Sequence, residues 1–460
     1  MTTSSWINQR TVSAAGLFGA VLVGAAVVKH PSIAVLLTVL VVAVVGLAML
    51  GTYGFASAIV LVAAAPWYPF VSDTALPPQI SERTLCFVIA AGATVPWLWS
   101  LGAGVRPRRP SAPVLLFGLL IASLTIMMYV SFGGLHDMFA QGTFGYIFGG
   151  VAFLCARRFA GTRAWTAPAF YGVVALILMG LGAYASAPGT RIGSFVGYPI
   201  TYGAILAGLA PLAVVHAATR WGRTAGLALS LAVAGLLVLS QSRSSWIAVA
   251  VTLVIVVALL ARLGRWREVA AVAAVTLVGL VAILQTGSLH KIVEARLNSN
   301  IAATDSVTHR QWSIEFAKTQ LRQRPIFGAG TPGYAGDQAA DQTDIGAVDN
   351  GYVSIGIDLG LVGLLAALIP IGVALNRLGR WLWWALEPPA EDVALALGIV
   401  AIAMVTFFYD SFYWAQLCLL LGGMGGTLSA RAISTVDARR RMRARRRRRS
   451  AGARPLRAAR

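Results

Sequence analysis

Residues 240–262 read SQSRSSWIAVAVTLVIVVALLAR. Ile247 to Leu260 carries no charge, and the stretch approaches the roughly 20 apolar residues that carry a helix across a bilayer core. Comparable charge-free runs occupy 33–50 and 225–239. Over all 460 residues 57% are apolar and 12% charged, against about 45–50% and 25% in soluble domains. A soluble chain of this length could not hide so much apolar surface. The pattern predicts an all-α polytopic membrane protein with fourteen spans, at 12–28, 32–50, 52–67, 84–101, 113–130, 140–156, 167–186, 199–218, 224–240, 243–262, 269–286, 351–375, 393–411 and 413–430. The third and sixth are short and interrupted by Gly or Pro, so the range is about 12–14. The first run follows Arg10 as in a signal peptide, but no small-residue cleavage site leads into a polar mature chain, so it reads as a retained span.

Arginines in the short loops set the orientation. With the N-terminus in the cytoplasm, the inner loops hold Arg106, Arg108, Arg109, Arg157, Arg158, Arg163, Arg220, Arg223, Arg262, Arg265, Arg267, Arg377 and Arg380. The short outer loops hold only Lys29, Arg83, Arg191 and Arg243. The net charge of +20 is concentrated: 13 of the 37 basic residues lie in 431–460. That tail reads as a disordered basic cytoplasmic segment touching anionic lipid, at about 1 kcal/mol per basic residue near the surface, rather than as a nucleic-acid site. Cys86, Cys155 and Cys418 sit in apolar runs without metal-ligand spacing and read as small buried hydrophobes. Residues 1–430 thus form the membrane domain.

The one long hydrophilic excursion, Leu289–Asn350, falls on the outer side and is too patterned for a simple connector. Asp305 or Ser306 could cap a helix running to about Gln323, which Arg324-Pro325 would end. On it Arg310, Ile314, Ala317 and Leu321 share one face, with Trp312 and Phe316 on a neighbouring stripe. This predicts an amphipathic helix lying on the membrane domain, followed by an irregular turn at Gly328, Gly330, Pro332 and Gly333.

No Lys-bearing phosphate loop, metal motif or nucleophile elbow is present. What remains is charge on the outer side. Arg191 precedes a span and runs against the positive-inside bias. Arg243 sits in Ser240-Gln-Ser-Arg-Ser-Ser-Trp246, a turn between two apolar helices, where lipid would penalise it. Arg310 lies on the apolar stripe of the loop helix. Asp349-Asn350 closes the loop at the start of a span; Asn350 is suited to an N-cap and Asp349 to general-base work. Each has a plainer reading: interfacial snorkelling for Arg191, a hairpin anchor for Arg243, an ion pair for Arg310. Together, planar guanidinium groups around one cavity suit a lipid-linked diphosphate. They would stabilise it as a leaving group while a base deprotonates an acceptor hydroxyl.

Four segments in order resemble the O-antigen ligase and polysaccharide polymerase superfamily of bacterial membrane glycosyltransferases. They are Arg191-Ile-Gly-Ser-Phe with Tyr198-Pro-Ile-Thr-Tyr-Gly-Ala; Ser240-Gln-Ser-Arg-Ser-Ser-Trp; His309-Arg-Gln-Trp with Arg324-Pro-Ile-Phe-Gly-Ala-Gly; and Asp349-Asn-Gly-Tyr with Asp358-Leu-Gly-Leu-Val-Gly-Leu. The likeness covers about 180–365, including the loop. It implies a helical fold related to lipid-dependent membrane glycosyltransferases in the bacterial cytoplasmic membrane, both termini inside. It also implies a polyprenyl-diphosphate-linked glycan donor, a glycan or lipid acceptor, and inverting transfer without metal or cofactor. The diphosphate-binding arginines would fall on Arg191 and Arg243, with Arg310 as a third. The family's usual outer His is Asp349 here, which leaves the base open between Asp349 and His309. A transporter or lipid-linked glycan flippase is the alternative, drawing on the intramembrane carboxylates Asp358 and Asp410.

Overall fold

The computed structural model describes residues 52–64, 144–159, 161–188, 191–193, 198–285, 294, 312, 314–330, 350–384, 387–409 and 416–430. Among these every regular element is a helix: Thr52–Ala64, Phe144–Phe159, Arg163–Ser186, Pro199–Trp221, Arg223–Ser240, Arg243–Arg262, Trp266–Gln285, Gly351–Trp384 and Ala390–Thr406, with Gln416–Ala430 and a loop helix at 314–323. Five of them are long and apolar enough to cross a membrane. The predicted spans at 12–28, 32–50, 84–101 and 113–130, and the basic tail, lie outside the described residues. Each remaining span falls on one of these helices.

The bundle closes around Pro199–Trp221, whose Tyr202, Ile205, Leu206, Leu209 and Leu212 are all fully buried. Helices approach one another backbone to backbone where side chains are small. A Cβ at Gly422 would stand 2.7 Å from the Gly149 carbonyl carbon, and one at Gly426 2.8 Å from that of Phe153. Trp165 fills the adjoining space, and its indole N–H donates to Thr427 at 2.9 Å. Cys155 and Cys418 are buried, as their apolar setting predicts.

The bundle has two chemically different ends. At one, Arg163 meets Glu391 at 3.3 Å and Arg262 donates to the Leu382 carbonyl at 3.2 Å. The described arginines of the predicted inner loops flank these same helix ends. At the other end the Ile192 N–H donates to the Leu239 carbonyl at 3.4 Å, and the Tyr352 hydroxyl to the Ala403 carbonyl at 3.0 Å. Arg191 and Arg243 belong to this second end.

Gly351–Trp384 extends beyond 375 and is not one continuous helix: Gly360 sits at φ 61°, ψ −156°. Of the face shared by Arg310, Ile314, Ala317 and Leu321, Ala317 is buried while Ile314 is 48% and Leu321 36% exposed. Trp312 and Phe316 pack beside Ala317 against Val353 and Ile357. Trp312 and Phe316 stack with centroids 5.2 Å apart, and two large rings bury more apolar area than Ile314 and Leu321 would.

Residues 324–330 make the turn expected there, with Gly328 and Gly330 at positive φ; Pro332 and Gly333 lie outside the described residues. In an unbroken helix Leu361 N–H would donate to Ile357 and Val362 N–H to Asp358. Here Leu361 N–H donates to the Pro325 carbonyl at 3.0 Å and Val362 N–H to Ile326 at 3.1 Å. In return Ala329 N–H donates to Ile357 and Gly330 N–H to Asp358, both at 2.9 Å. Two helical turns have exchanged hydrogen-bond partners. Pro325-x-x-Gly328 and Ile357-x-x-Gly360 play matching parts, and both glycines have positive φ (62° and 61°). A Cβ at Gly328 would stand 2.6 Å from the Gly360 nitrogen, so no other residue fits at this crossing. The exchange satisfies eight backbone groups, four on each segment, that apolar surroundings would otherwise penalise. The crossing lies nine residues into the helix, roughly 14 Å below its start.

Candidate functional site

Arg191 is presented by a short, pinned turn. Ile192 is 1% exposed, and its N–H reaches the last turn of Arg223–Ser240. Gly193 has φ 111°, and a Cβ there would stand 2.8 Å from the Tyr202 ring. Tyr202 is itself fixed by donating to the Leu176 carbonyl at 3.1 Å. The Arg-Ile-Gly and Tyr-Pro-Ile-Thr-Tyr-Gly motifs are therefore two halves of one packing unit.

The guanidinium carbon of Arg191 lies over the Tyr198 ring, 5.9 Å from its centroid. Tyr198 in turn runs parallel to Tyr409, with centroids 6.0 Å apart and planes 8° from parallel. The Tyr409 and Thr201 hydroxyls approach to 3.4 Å. Arg191 Nε is buried and has no hydrogen-bond partner among the described residues. A buried guanidinium N–H without an acceptor is costly in the free protein.

Arg243 comes from the neighbouring turn. Gln241 takes the left-handed conformation and ends Arg223–Ser240. The Leu237 carbonyl, left over by that ending, accepts from Ser240 Oγ at 2.7 Å and Trp246 Nε1 at 2.8 Å. Ser242 is the N-cap of Arg243–Arg262 and accepts from the Ser245 N–H; its hydroxyl also lies 2.8 Å from that of Ser245. The small serines allow Gly203 to come close: a Cβ there would be 3.0 Å from Ser245 Cβ and would overlap its hydroxyl. Every polar side chain of Ser240-Gln-Ser-Arg-Ser-Ser-Trp named here shapes the turn, whereas Arg243 is exposed. An arginine in the first turn runs against the helix macrodipole. Beside the helix N-terminus it adds to a corner of positive potential.

Arg191 and Arg243 thus reach the same end from turns joined by the Ile192–Leu239 hydrogen bond. Arg310, His309 and Asp349 lie outside the described residues. Their neighbours are described. Asn350 Oδ1 accepts from the Tyr352 and Val353 N–H groups at 2.9 and 3.2 Å, the N-cap predicted for it. Asp358 is 1% exposed and belongs to the partner-exchanging turn. Asp410 lies outside the described residues. Among the described residues no group of three His, Cys, Asp or Glu side chains is placed to hold a metal.

Tyr198 and Thr201 lie in the quoted 198–204 motif but have no role assigned to them from the sequence, and Tyr409 lies outside all four motifs. The signal for Tyr198 was available, since it is 44% exposed one turn before the fully buried Tyr202. Tyr409 carried none: it ends an aromatic run, Phe407-Phe408-Tyr409, that reads as ordinary interface.

No curated protein matches the chain. Residues 227–368 match the O-antigen ligase family. That region begins in Arg223–Ser240 and takes in the Ser-Arg-Ser turn, the long loop and the broken helix. The match supports an O-antigen ligase-like family for this multi-pass membrane chain.

Proposed function

We propose that the chain transfers a glycan from a polyprenyl-diphosphate donor to an acceptor hydroxyl on the outer side of the membrane. The family match supports a ligase-like role in polysaccharide assembly; donor, acceptor and side are our reading. The observation that carries it is the buried Nε of Arg191, without a hydrogen-bond partner among the described residues, at the end of the bundle that also holds the exposed Arg243. A diphosphate offers several acceptor oxygens, matches the planar guanidinium fork, and leaves its lipid tail between helices.

In this reading the acceptor oxygen attacks the anomeric carbon. The bond from that carbon to the diphosphate oxygen breaks, and the electron pair leaves with the diphosphate. Arg191 and Arg243, with Arg310 from the loop, stabilise the charge that develops there. The acceptor proton passes to Asp349 or His309. An Asp carboxylate has a reference pKa near 3.9, so it needs an apolar setting to serve well as the base.

A transporter reading draws on the broken helix and its buried Asp358, because discontinuous helices open backbone groups to ions and substrates. Here the Ile357 and Asp358 carbonyls and the Leu361 and Val362 N–H groups are taken by residues 325–330. That favours the transferase. Replacing Arg243 by Ala should leave the protein in the membrane, deplete surface polysaccharide and accumulate lipid-linked glycan. Surface polysaccharide of normal amount and length would refute the reading.

A further inference from the structure

We infer that Tyr198 is a positioning residue for the Arg191 guanidinium, and that Tyr409 holds the Tyr198 ring in that place. The inference rests on the reading of Arg191 as a donor-binding residue.

A guanidinium on a long side chain must be held if it is to meet a phosphate in one geometry. A carboxylate could hold it, but an anion would compete with the diphosphate for its charge and its N–H groups. Among the described residues Arg191 makes no ion pair. It meets an aromatic face instead: the guanidinium carbon lies 5.9 Å from the Tyr198 ring centroid. A ring attracts a cation through its quadrupole and brings no anionic acceptor. Arg191 is half-buried, which strengthens that attraction over its value in open water.

The local sequence places the ring. Pro199 opens the helix Pro199–Trp221 and holds the residue before it extended; Tyr198 has φ −154° and ψ 147°. The Tyr198 carbonyl accepts the Tyr202 N–H at 2.9 Å, and Gly193 closes against the Tyr202 ring. Arg191 and Tyr198 are thereby pinned to one helical turn.

Tyr198 is 44% exposed, so burial alone leaves its ring free to turn. Tyr409 supplies the restraint, with centroids 6.0 Å apart and planes 8° from parallel. Tyr409 follows the end of Ala390–Thr406, where the Phe408 N–H donates to the Val405 carbonyl at 2.9 Å. Its hydroxyl approaches that of the buried Thr201 to 3.4 Å, and Thr201 stands on the turn that Tyr198 begins. The aromatic pair closes between two helix ends, and Arg191 lies against it.

The test uses the full chain in lipid nanodiscs with polyprenyl diphosphate as the binding probe. A second readout is the rate at which phenylglyoxal modifies Arg191, followed by peptide mass spectrometry. Arg163, whose side chain is 79% exposed at the opposite end, is the reference. In Tyr198→Leu the apparent Kd should rise about tenfold, a change of ~1.4 kcal/mol, and Arg191 should be modified faster relative to Arg163. Tyr198→Phe keeps the ring and should stay within about threefold of wild type in Kd, with Arg191 modified at the wild-type rate. Tyr409→Leu removes the stacking partner and should shift both readouts in the same direction as Tyr198→Leu, which keeps the inference testable if Tyr198→Leu is not recovered folded. In an Arg191→Ala background Tyr198→Leu should add nothing to the loss of binding, because the ring acts through the arginine. A packing role alone would weaken binding in both backgrounds.

Wild-type Kd and wild-type Arg191 modification in folded Tyr198→Leu and Tyr409→Leu would overturn the inference. So would Tyr198→Phe binding as weakly as Tyr198→Leu, or an equal loss from Tyr198→Leu with and without Arg191. If Arg191→Ala alone binds the probe like wild type, the donor reading fails, and the modification rates decide whether Tyr198 positions Arg191.

Discussion

The two short turns and the long loop solve the same problem by different means. Each ties a segment between spans to an apolar bundle. The turns at 191–203 and 240–246 do it with side chains. Serine hydroxyls, an indole N–H and a phenol consume the leftover carbonyls and N–H groups, and the small residues let Gly203 and Gly193 close against them. The loop does it with backbone, by exchanging helical hydrogen bonds with a span that is broken to receive it. Side-chain pinning is local and tolerates changes elsewhere. Backbone exchange couples residues 30 or so positions apart, and a single Cβ defeats it.

That contrast ranks the expected effects. The largest should come from Gly360→Val, which puts a β-branched residue at positive φ and drives a side chain into the Ile326 and Gly328 backbone. Loss of most folded protein from the membrane is expected, checked by yield and by size-exclusion profile in mild detergent. Gly203→Ala is next. It overlaps the Ser245 hydroxyl and should cost about 1–3 kcal/mol of stability, read as a lowered Tm. A second substitution, Ser245→Ala, should recover part of it; no recovery would break the idea that hydroxyl and glycine interlock.

Ser242→Ala removes the N-cap of Arg243–Arg262 and should cost about 1 kcal/mol. In the loop, Asn350→Ala removes the equivalent cap and should cost about as much, by the same Tm measurement. A far larger loss for Asn350 would show that the loop's rigidity runs through its cap rather than through the backbone exchange. Glu391→Gln, at the opposite end, breaks an ion pair whose arginine side chain is 79% exposed. It should change stability by about 0–1 kcal/mol and transfer not at all.

Much of the bundle was legible because bilayer length and apolar composition leave few choices: the span 243–262 coincides with the observed helix and 199–218 differs from Pro199–Trp221 only at its end. The break at Gly360 was not legible. Asp358-Leu-Gly-Leu-Val-Gly reads as span, and nothing local says that Pro325–Gly330 will take over its hydrogen bonds; only the matched spacing of Gly328 and Gly360 hints at it. The loop helix shows a similar limit. Helical periodicity supports two adjacent stripes, and ring size rather than period decides for Trp312 and Phe316. At the candidate site, Arg191 and Arg243 stand out in the sequence because, in the predicted orientation, their charge runs against the positive-inside bias. Tyr409 was missed because its partner, Tyr198, is more than 200 residues away.

The central claim is that Arg191 and Arg243 together hold a lipid diphosphate. The direct measurement is a titration of polyprenyl diphosphate into the full chain in nanodiscs, comparing wild type with the Arg191→Ala/Arg243→Ala double variant. Hydrogen bonds to charged groups contribute about 1.5–3 kcal/mol each, so the account predicts binding weaker by roughly a hundredfold or more in the double variant. Equal affinity in the two proteins, with both folded, would contradict it.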